Sequence, residues 1–337
     1  MKVSASPPLP SSDKLAGHST SREHPSPGGC RSEGSEVSAV IPTACRVTAE
    51  QYSQAWQKYQ QQAHHGQIWT GRYHLRYFTW GQGQPLVFIH GMADAPQAFV
   101  MVMNPLRERF LCVAYALPDG CRYGGQLPRY QLADYGADLL TLLDHLGIAE
   151  SAIVGSSFGS LICLYALRYA PQRCRWGILQ NGFARRPLGR WEKELARWGR
   201  GLPGWFGDWP NLQAAVMGYL EPVMIRHLPA PVTAAYLRHA ANTPIAAAAW
   251  RAWTIARSDL SALLPEIQQP VLLLTGDQDR LVPVACWQQL QEGLPCCQRV
   301  HIPGCGHYPQ YSHPHVMAEV IENFLFRHQP VCASPQH

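Results

Sequence analysis

The chain has 337 residues, of which 46% are hydrophobic and 15% charged, and its formal net charge is +5. That apolar content excludes disorder throughout, no run of about 18 apolar residues is present to span a membrane, and so dilute a positive charge does not describe a nucleic-acid-binding surface. The 28 glycines and 28 prolines follow no period, which excludes a collagen-like repeat, and the length suits one α/β domain carrying an insertion.

Residues 1–45 contain ten serines, many prolines and glycines, and no aromatic residue. Such a segment buries too little apolar surface to offset its ordering entropy and is read as a disordered tail. Its start, MKVSASPPLP, has prolines where a secretory signal has an apolar run, and Asp13, Glu23, Glu33 and Glu36 argue against a transit peptide. Eleven cysteines without CxxC spacing then read as reduced thiols, and the expected location is the cytoplasm. Residues 46–66 are expected to form an N-terminal helix, with Tyr52, Trp56 and Tyr59 at helical spacing. From Tyr73 onward, strands are predicted at Tyr73–Trp80, Pro85–His90, Phe110–Ala116, Ser151–Val154, Trp176–Gln180, Val271–Thr275 and Arg299–Ile302. Helices are predicted between them, notably Tyr130–Leu146 and Phe158–Tyr169. Short apolar strands alternating with helices predict a mainly parallel sheet covered on both faces. The alternation breaks over 184–262, a tryptophan-rich helical stretch read as a cap inserted into a core made of 67–183 and 263–330. Residues 331–337 are a C-terminal tail.

The sequence SAIVGSSFGS at Ser151–Ser160 places Gly155-Ser156-Ser157-Phe158-Gly159 between an apolar strand and a helix. This GxSxG turn is the setting of a nucleophile elbow: Ser157 occupies a strained conformation, and its neighbours two positions away lack bulk so that strand and helix can approach. A serine needs a base, and two later strand ends supply candidates. In LLTGDQDRLVP, Asp279 is preferred to Asp277 because it lies farther beyond the strand end; in VHIPGCGHY, His307 sits in a glycine-bracketed loop where a mobile imidazole could reach a serine. The order Ser157, Asp279, His307 is that of a hydrolase triad on an α/β sheet. The backbone amides of Met92, after the sharp turn at Gly91, and of Phe158 are the candidate oxyanion donors, and His90 is read as scaffold in that loop.

The motifs FIHGM, ALPDG, GSSFG, TGDQD and GCGHYPQYSHP occur in an order that resembles the α/β-hydrolase fold superfamily over about residues 67–328. The resemblance implies a mostly parallel eight-stranded sheet flanked by helices, with a helical cap inserted after strand six, and an esterase- or lipase-like serine hydrolase working through an acyl-enzyme without cofactor or metal. An acyltransferase, a C–C bond hydrolase or a cofactor-free haloperoxidase on the same scaffold, or a non-catalytic ligand receptor, are the alternatives. Two departures stand out: Ser160 occupies a place where a further glycine often follows the elbow, and ALPDGCRYGG departs from the usual loop after the fourth strand.

The cap is expected to set substrate choice. Trp191, Leu195 and Trp198 share a helical face expected to pack on the core, whereas the loop containing Trp205, Phe206 and Trp209 is a candidate pocket wall or a contact with a lipid surface. The expected partner is a hydrophobic or aromatic acyl substrate, with no nucleic acid and no transmembrane segment, although peripheral membrane contact fits the aromatics. Ten Lys and Arg against five acids make 184–262 the seat of the whole positive excess. Solvated helix faces account for this, and attraction of a carboxylate-bearing substrate or an anionic membrane is the functional alternative.

Overall fold

The computed structural model describes residues 47–120, 126–209, 211 and 227–328. The expected tails at 1–45 and 331–337, and Cys121–Gly125 of the unusual loop, lie outside the described residues.

Helix α1 (Ala49–Gln62) starts at a capping box, in which Thr48 Oγ1 accepts from Gln51 N at 3.1 Å and Gln51 Oε1 accepts from Thr48 N at 2.8 Å. It stops at Gln62, short of the expected end at residue 66, because Ala63 is extended and strand β1 (His64–Trp69) follows. In β1 only Ile68 is buried, so this edge strand carries no apolar alternation by which to be recognised. The other strands are β2 (His74–Trp80), β3 (Gln84–Ile89), β4 (Phe110–Tyr115), β5 (Ser151–Ser156), β6 (Cys174–Gln180), β7 (Val271–Gly276) and β8 (Cys297–Ile302). They form one sheet in the order β1-β2-β4-β3-β5-β6-β7-β8. Strand β2 runs antiparallel to both of its neighbours, and the other pairings are parallel.

The central strands are apolar on both faces because both faces are covered. Val87, Ile89, Val113 and Ile153 belong to a core with α3 (Leu132–His145) and α4 (Phe158–Tyr169). Their alternates Leu86, Phe88, Ala114 and Val154 belong to a second core that includes α2 (Val100–Leu106) and a C-terminal helix at Pro314–His328. Between β6 and β7 the described residues form α5 (Arg190–Gly199), α6 (Ala230–Ala241) and α7 (Ile245–Arg257). The packed side of α5 consists of its small residues. Ala196 and Gly199 are buried, and a methyl group added to Gly199 would sit 2.9 Å from Cβ of Ala249 on α7. This corrects the expectation that Trp191, Leu195 and Trp198 pack on the core: they are 84%, 72% and 71% exposed. Small residues allow the closest approach of two helices, so the large ones are left on the outer face.

One buried charge ties the β1–β2 turn to α3. Asp138 is buried, and it accepts from Arg72 Nη2 at 2.7 Å and from the Tyr130 hydroxyl at 2.5 Å. Replacing Asp138 with Ala leaves the Tyr130 hydroxyl without its acceptor, while Arg72, 31% exposed, keeps Asp134, and a loss of about 1–3 kcal/mol is expected in chemical denaturation.

Candidate active site

The chain passes from β5 to α4 through Ser157, whose φ of 50° and ψ of −111° lie in a sparsely populated region. Among the described residues other than glycine, only Ser157 and Asn181 have positive φ. The turn is possible because its flanks have no side chains. A methyl group on Gly155 would lie 2.5 Å from the Gly159 carbonyl oxygen, and one on Gly159 would lie 2.4 Å from that of Ile89 at the end of β3. Within 151–160 every residue is buried except Ser157, which is partly exposed. Its own amide donates to the Gln180 carbonyl at 3.0 Å. Ser160, in the place of the further glycine, is used as a connector: its hydroxyl donates to the Ser157 carbonyl at 2.5 Å and accepts from Phe183 N at 3.1 Å.

His307 and Asp279, on the loops after β8 and β7, meet with Nδ1 2.8 Å from Asp279 Oδ2. The other carboxylate oxygen accepts from the backbone amides of Leu281 and Val282 at 2.8 and 3.0 Å. Burial raises the pKa of this carboxyl, but the charge of His307 and the hydrogen bonds from His307, Val282 and Leu281 outweigh it and hold the group below its ordinary value. An ionised carboxylate only accepts, so Nδ1 of His307 carries the proton. Asp277 instead takes an amide hydrogen bond from Cys305 at 3.2 Å and is exposed. The histidine differs from the expected mobile imidazole: it is 1% exposed and its carbonyl is held by Asn181 Nδ2 at 2.9 Å and Gln180 Nε2 at 3.3 Å.

The loop after β3 is fastened from two sides. Leu117 N donates to His90 Nε2 at 3.2 Å, which leaves the His90 proton on Nδ1, 2.8 Å from the Gly91 carbonyl it donates to. Burial, with Arg251 nearby, lowers the His90 pKa to about 3, so the ring is neutral. The carbonyl it grips belongs to the same peptide unit as the Met92 N–H, so the plane of that amide is fixed. From α7, Arg251, 2% exposed, donates to the carbonyls of Met92 at 2.6 Å and Pro118 at 3.0 Å. Phe158 opens α4, so its amide belongs to the helix's first turn, where intrahelical acceptors are lacking.

Asn181, Gln180 and Arg251 escaped the reading of the sequence. The available signal is the pair of amides, Gln180 and Asn181, that closes an otherwise apolar strand. A buried polar cluster extends from there: Gln180 Nε2 donates to Gln310 at 2.7 Å, Gln310 to Asp94 at 3.2 Å, and Tyr311 to Asp94 at 2.7 Å. A cavity of about 940 Å³ lies on its far side, lined by Tyr52, Trp56, His90, Asp94, Arg238 and Arg251 among others. Ser157, Asp279 and His307 do not line it, and neither do Trp205, Phe206 and Trp209. Trp205 and Trp209 are exposed and Phe206 is half-buried, on a loop whose Phe206 amide donates to the Thr243 carbonyl at 3.2 Å.

A family model described as the alpha/beta hydrolase fold matches residues 84–314. The chain is 26% identical over 272 residues to a 2-(acetamidomethylene)succinate hydrolase of Mesorhizobium japonicum, covering 76% of this chain and 92% of the relative. It is 27% identical over 253 residues to a pimeloyl-[acyl-carrier protein] methyl ester esterase of Aromatoleum aromaticum, covering 71% and 97%. Among solved structures, a hydrolase from Pseudomonas aeruginosa superimposes with a TM-score of 0.69 at 19% identity, covering 77% of this chain and 98% of that one. A thermophilic esterase from Thermogutta terrifontis superimposes with a TM-score of 0.68 at 23% identity, covering 78% and 98%. At these identities the structural likeness is one of fold.

The elbow geometry is testable directly. Gly159→Ala forces a methyl group against the β3 backbone, and a loss of about 1–3 kcal/mol in thermal or chemical unfolding is expected.

Proposed function

Because the chain belongs to the alpha/beta hydrolase fold family, we propose that it is a serine hydrolase cleaving a carboxylic ester or related acyl bond with Ser157, His307 and Asp279. The observation that carries this reading is the 2.8 Å hydrogen bond between His307 and Asp279 at the sheet edge where Ser157 holds its strained turn. The names of the relatives, a hydrolase and a methyl ester esterase, agree with it.

Ser157 Oγ attacks the acyl carbonyl carbon while its proton passes to His307. With Nδ1 committed to Asp279, Nε2 is the nitrogen that receives it. The oxyanion forms opposite the Met92 and Phe158 amides, donors whose loss typically costs about a hundredfold to a thousandfold in rate. The neutral His90 ring adds to this by holding the Gly91 carbonyl, because a peptide whose carbonyl is hydrogen-bonded is a stronger donor at its N–H. The imidazolium then protonates the leaving group, the acyl group stays on Ser157, and water activated by His307 releases it. Asp279 holds the tautomer and stabilises the charged ring. In this reading the β6–β7 segment is a cap that walls the substrate site, anchored to the oxyanion loop by Arg251.

Ser157→Ala is expected to abolish turnover in a panel of small esters while leaving the unfolding transition in place; turnover near that of the parent protein would overturn the nucleophile assignment. Labelling of Ser157 by a fluorophosphonate separates a working enzyme from a receptor of the same fold. Asp279→Asn is expected to lower kcat by about four orders of magnitude, as the wrong tautomer is then favoured. The same variant changes the acid limb of stability. A carboxyl whose folded pKa is depressed stabilises the fold at pH above its unfolded value of about 4 and loses that contribution as pH falls through the folded value. The stability difference between parent and Asp279→Asn therefore narrows below about pH 4, as urea titrations at several pH values would measure.

A further inference from the structure

The outer side of α5 bears a ridge that no part of the proposed reaction uses. Trp191, Leu195, Trp198 and Leu202 recur at intervals of three and four, so they stand in one row on the helix and its continuation. All are exposed, and the chain that follows adds Trp205 and Trp209, also exposed. Six of the ten large hydrophobic residues exposed in the described structure thus fall within nineteen residues, 191–209. An apolar concentration of this kind on a surface marks a contact with something else.

The charges beside the ridge indicate what that is. Arg190, Lys193 and Arg197 are exposed on the third side of α5, turned from both the ridge and the packed face, and the acid Glu194 stands between them and the ridge. Glu192 is drawn away to Arg186 at 2.7 Å. Arg200 is turned inward, its guanidinium stacked 4.0 Å from the Trp253 ring and 4.6 Å from Trp250. What remains is a row of tryptophan and leucine with three exposed cations and one acid on the adjoining side of the helix. A second copy fits this poorly, because a two-fold contact of ridge on ridge sets the cations of one copy near those of the other. A phosphate-bearing lipid surface fits it on both counts: indole rings settle at the level of the headgroups, and Lys and Arg are drawn to the anionic charge. We infer that the exposed face of α5, Trp191, Leu195 and Trp198 with Arg190, Lys193 and Arg197, docks this protein on anionic lipid surfaces.

This docking does not depend on the bond cleaved at Ser157. The test is co-sedimentation of the full chain with vesicles of phosphatidylcholine alone and of phosphatidylcholine mixed with phosphatidylglycerol. The chain is expected to pellet with the mixed vesicles, with a blue-shifted tryptophan emission, and to release as salt is raised. Removing the ridge with the double substitution Trp191→Ser and Trp198→Ser is expected to weaken binding by about tenfold or more. Replacing Arg190, Lys193 and Arg197 with Gln is expected to weaken it by about fivefold per cation, with most of the salt sensitivity lost. Unfolding midpoints and turnover of a soluble ester serve as controls, because neither set touches the candidate active site. Three outcomes would overturn the inference: no binding to mixed vesicles, equal binding to neutral and mixed vesicles, or a concentration-dependent dimer that the double substitution abolishes.

Discussion

The architecture of the site depends on a steric constraint: the backbones of β3, β5 and α4 approach too closely for a side chain at Gly155 or Gly159. With less than 2.6 Å between a would-be methyl and a carbonyl oxygen at each position, strand and helix share one seam. Ser157 takes its positive φ because the seam leaves the chain no other route from β5 into α4, and it is displayed because everything around it is buried. Gly91, whose hypothetical methyl would lie 3.6 Å from Ser157 Cβ, brings the end of β3 alongside. Ser160 then ties the elbow to the loop after β6.

Around that seam, side chains do what the sheet cannot. Parallel strands end with carbonyls that have no further partner, and here buried donors meet them. Asn181 and Gln180 hold the His307 carbonyl, His90 holds Gly91, and Arg251 holds Met92 and Pro118. Each loop that carries a candidate functional group is therefore fixed by a residue from a different loop or helix. A positive φ at Asn181 serves the same end, aiming its amide at the His307 loop while its oxygen accepts from Gly276 N.

The central strands and the elbow could be read from the sequence because they follow local rules: apolar runs between turn signals, and glycines two positions either side of a serine. The pairing of Asp279 with His307 followed from chain order and from placing both beyond strand ends. Strand β1 was hidden because an edge strand of mostly exposed residues, HHGQIW, has no apolar alternation. The face of α5 was misjudged because periodicity shows that large residues share a side but not which side is packed, and here the small side is. The charge on the β6–β7 segment also changes meaning. Arg251 is buried against backbone carbonyls and Arg200 stacks on indoles, so two of the cations behind the formal excess are spent on contacts within the protein.

Arg251 has a further consequence for traffic. Its guanidinium is fastened to backbone carbonyls on the loops after both β3 and β4. Swinging α7 outward would tear a buried cation from those acceptors at a cost of several kcal/mol, so an outward position of this helix is sparsely populated. It would also let go of the Met92 carbonyl and so loosen the loop after β3. If the proposed reaction is the one this chain performs, its reactants and products are expected to pass beside α7 and not beneath it.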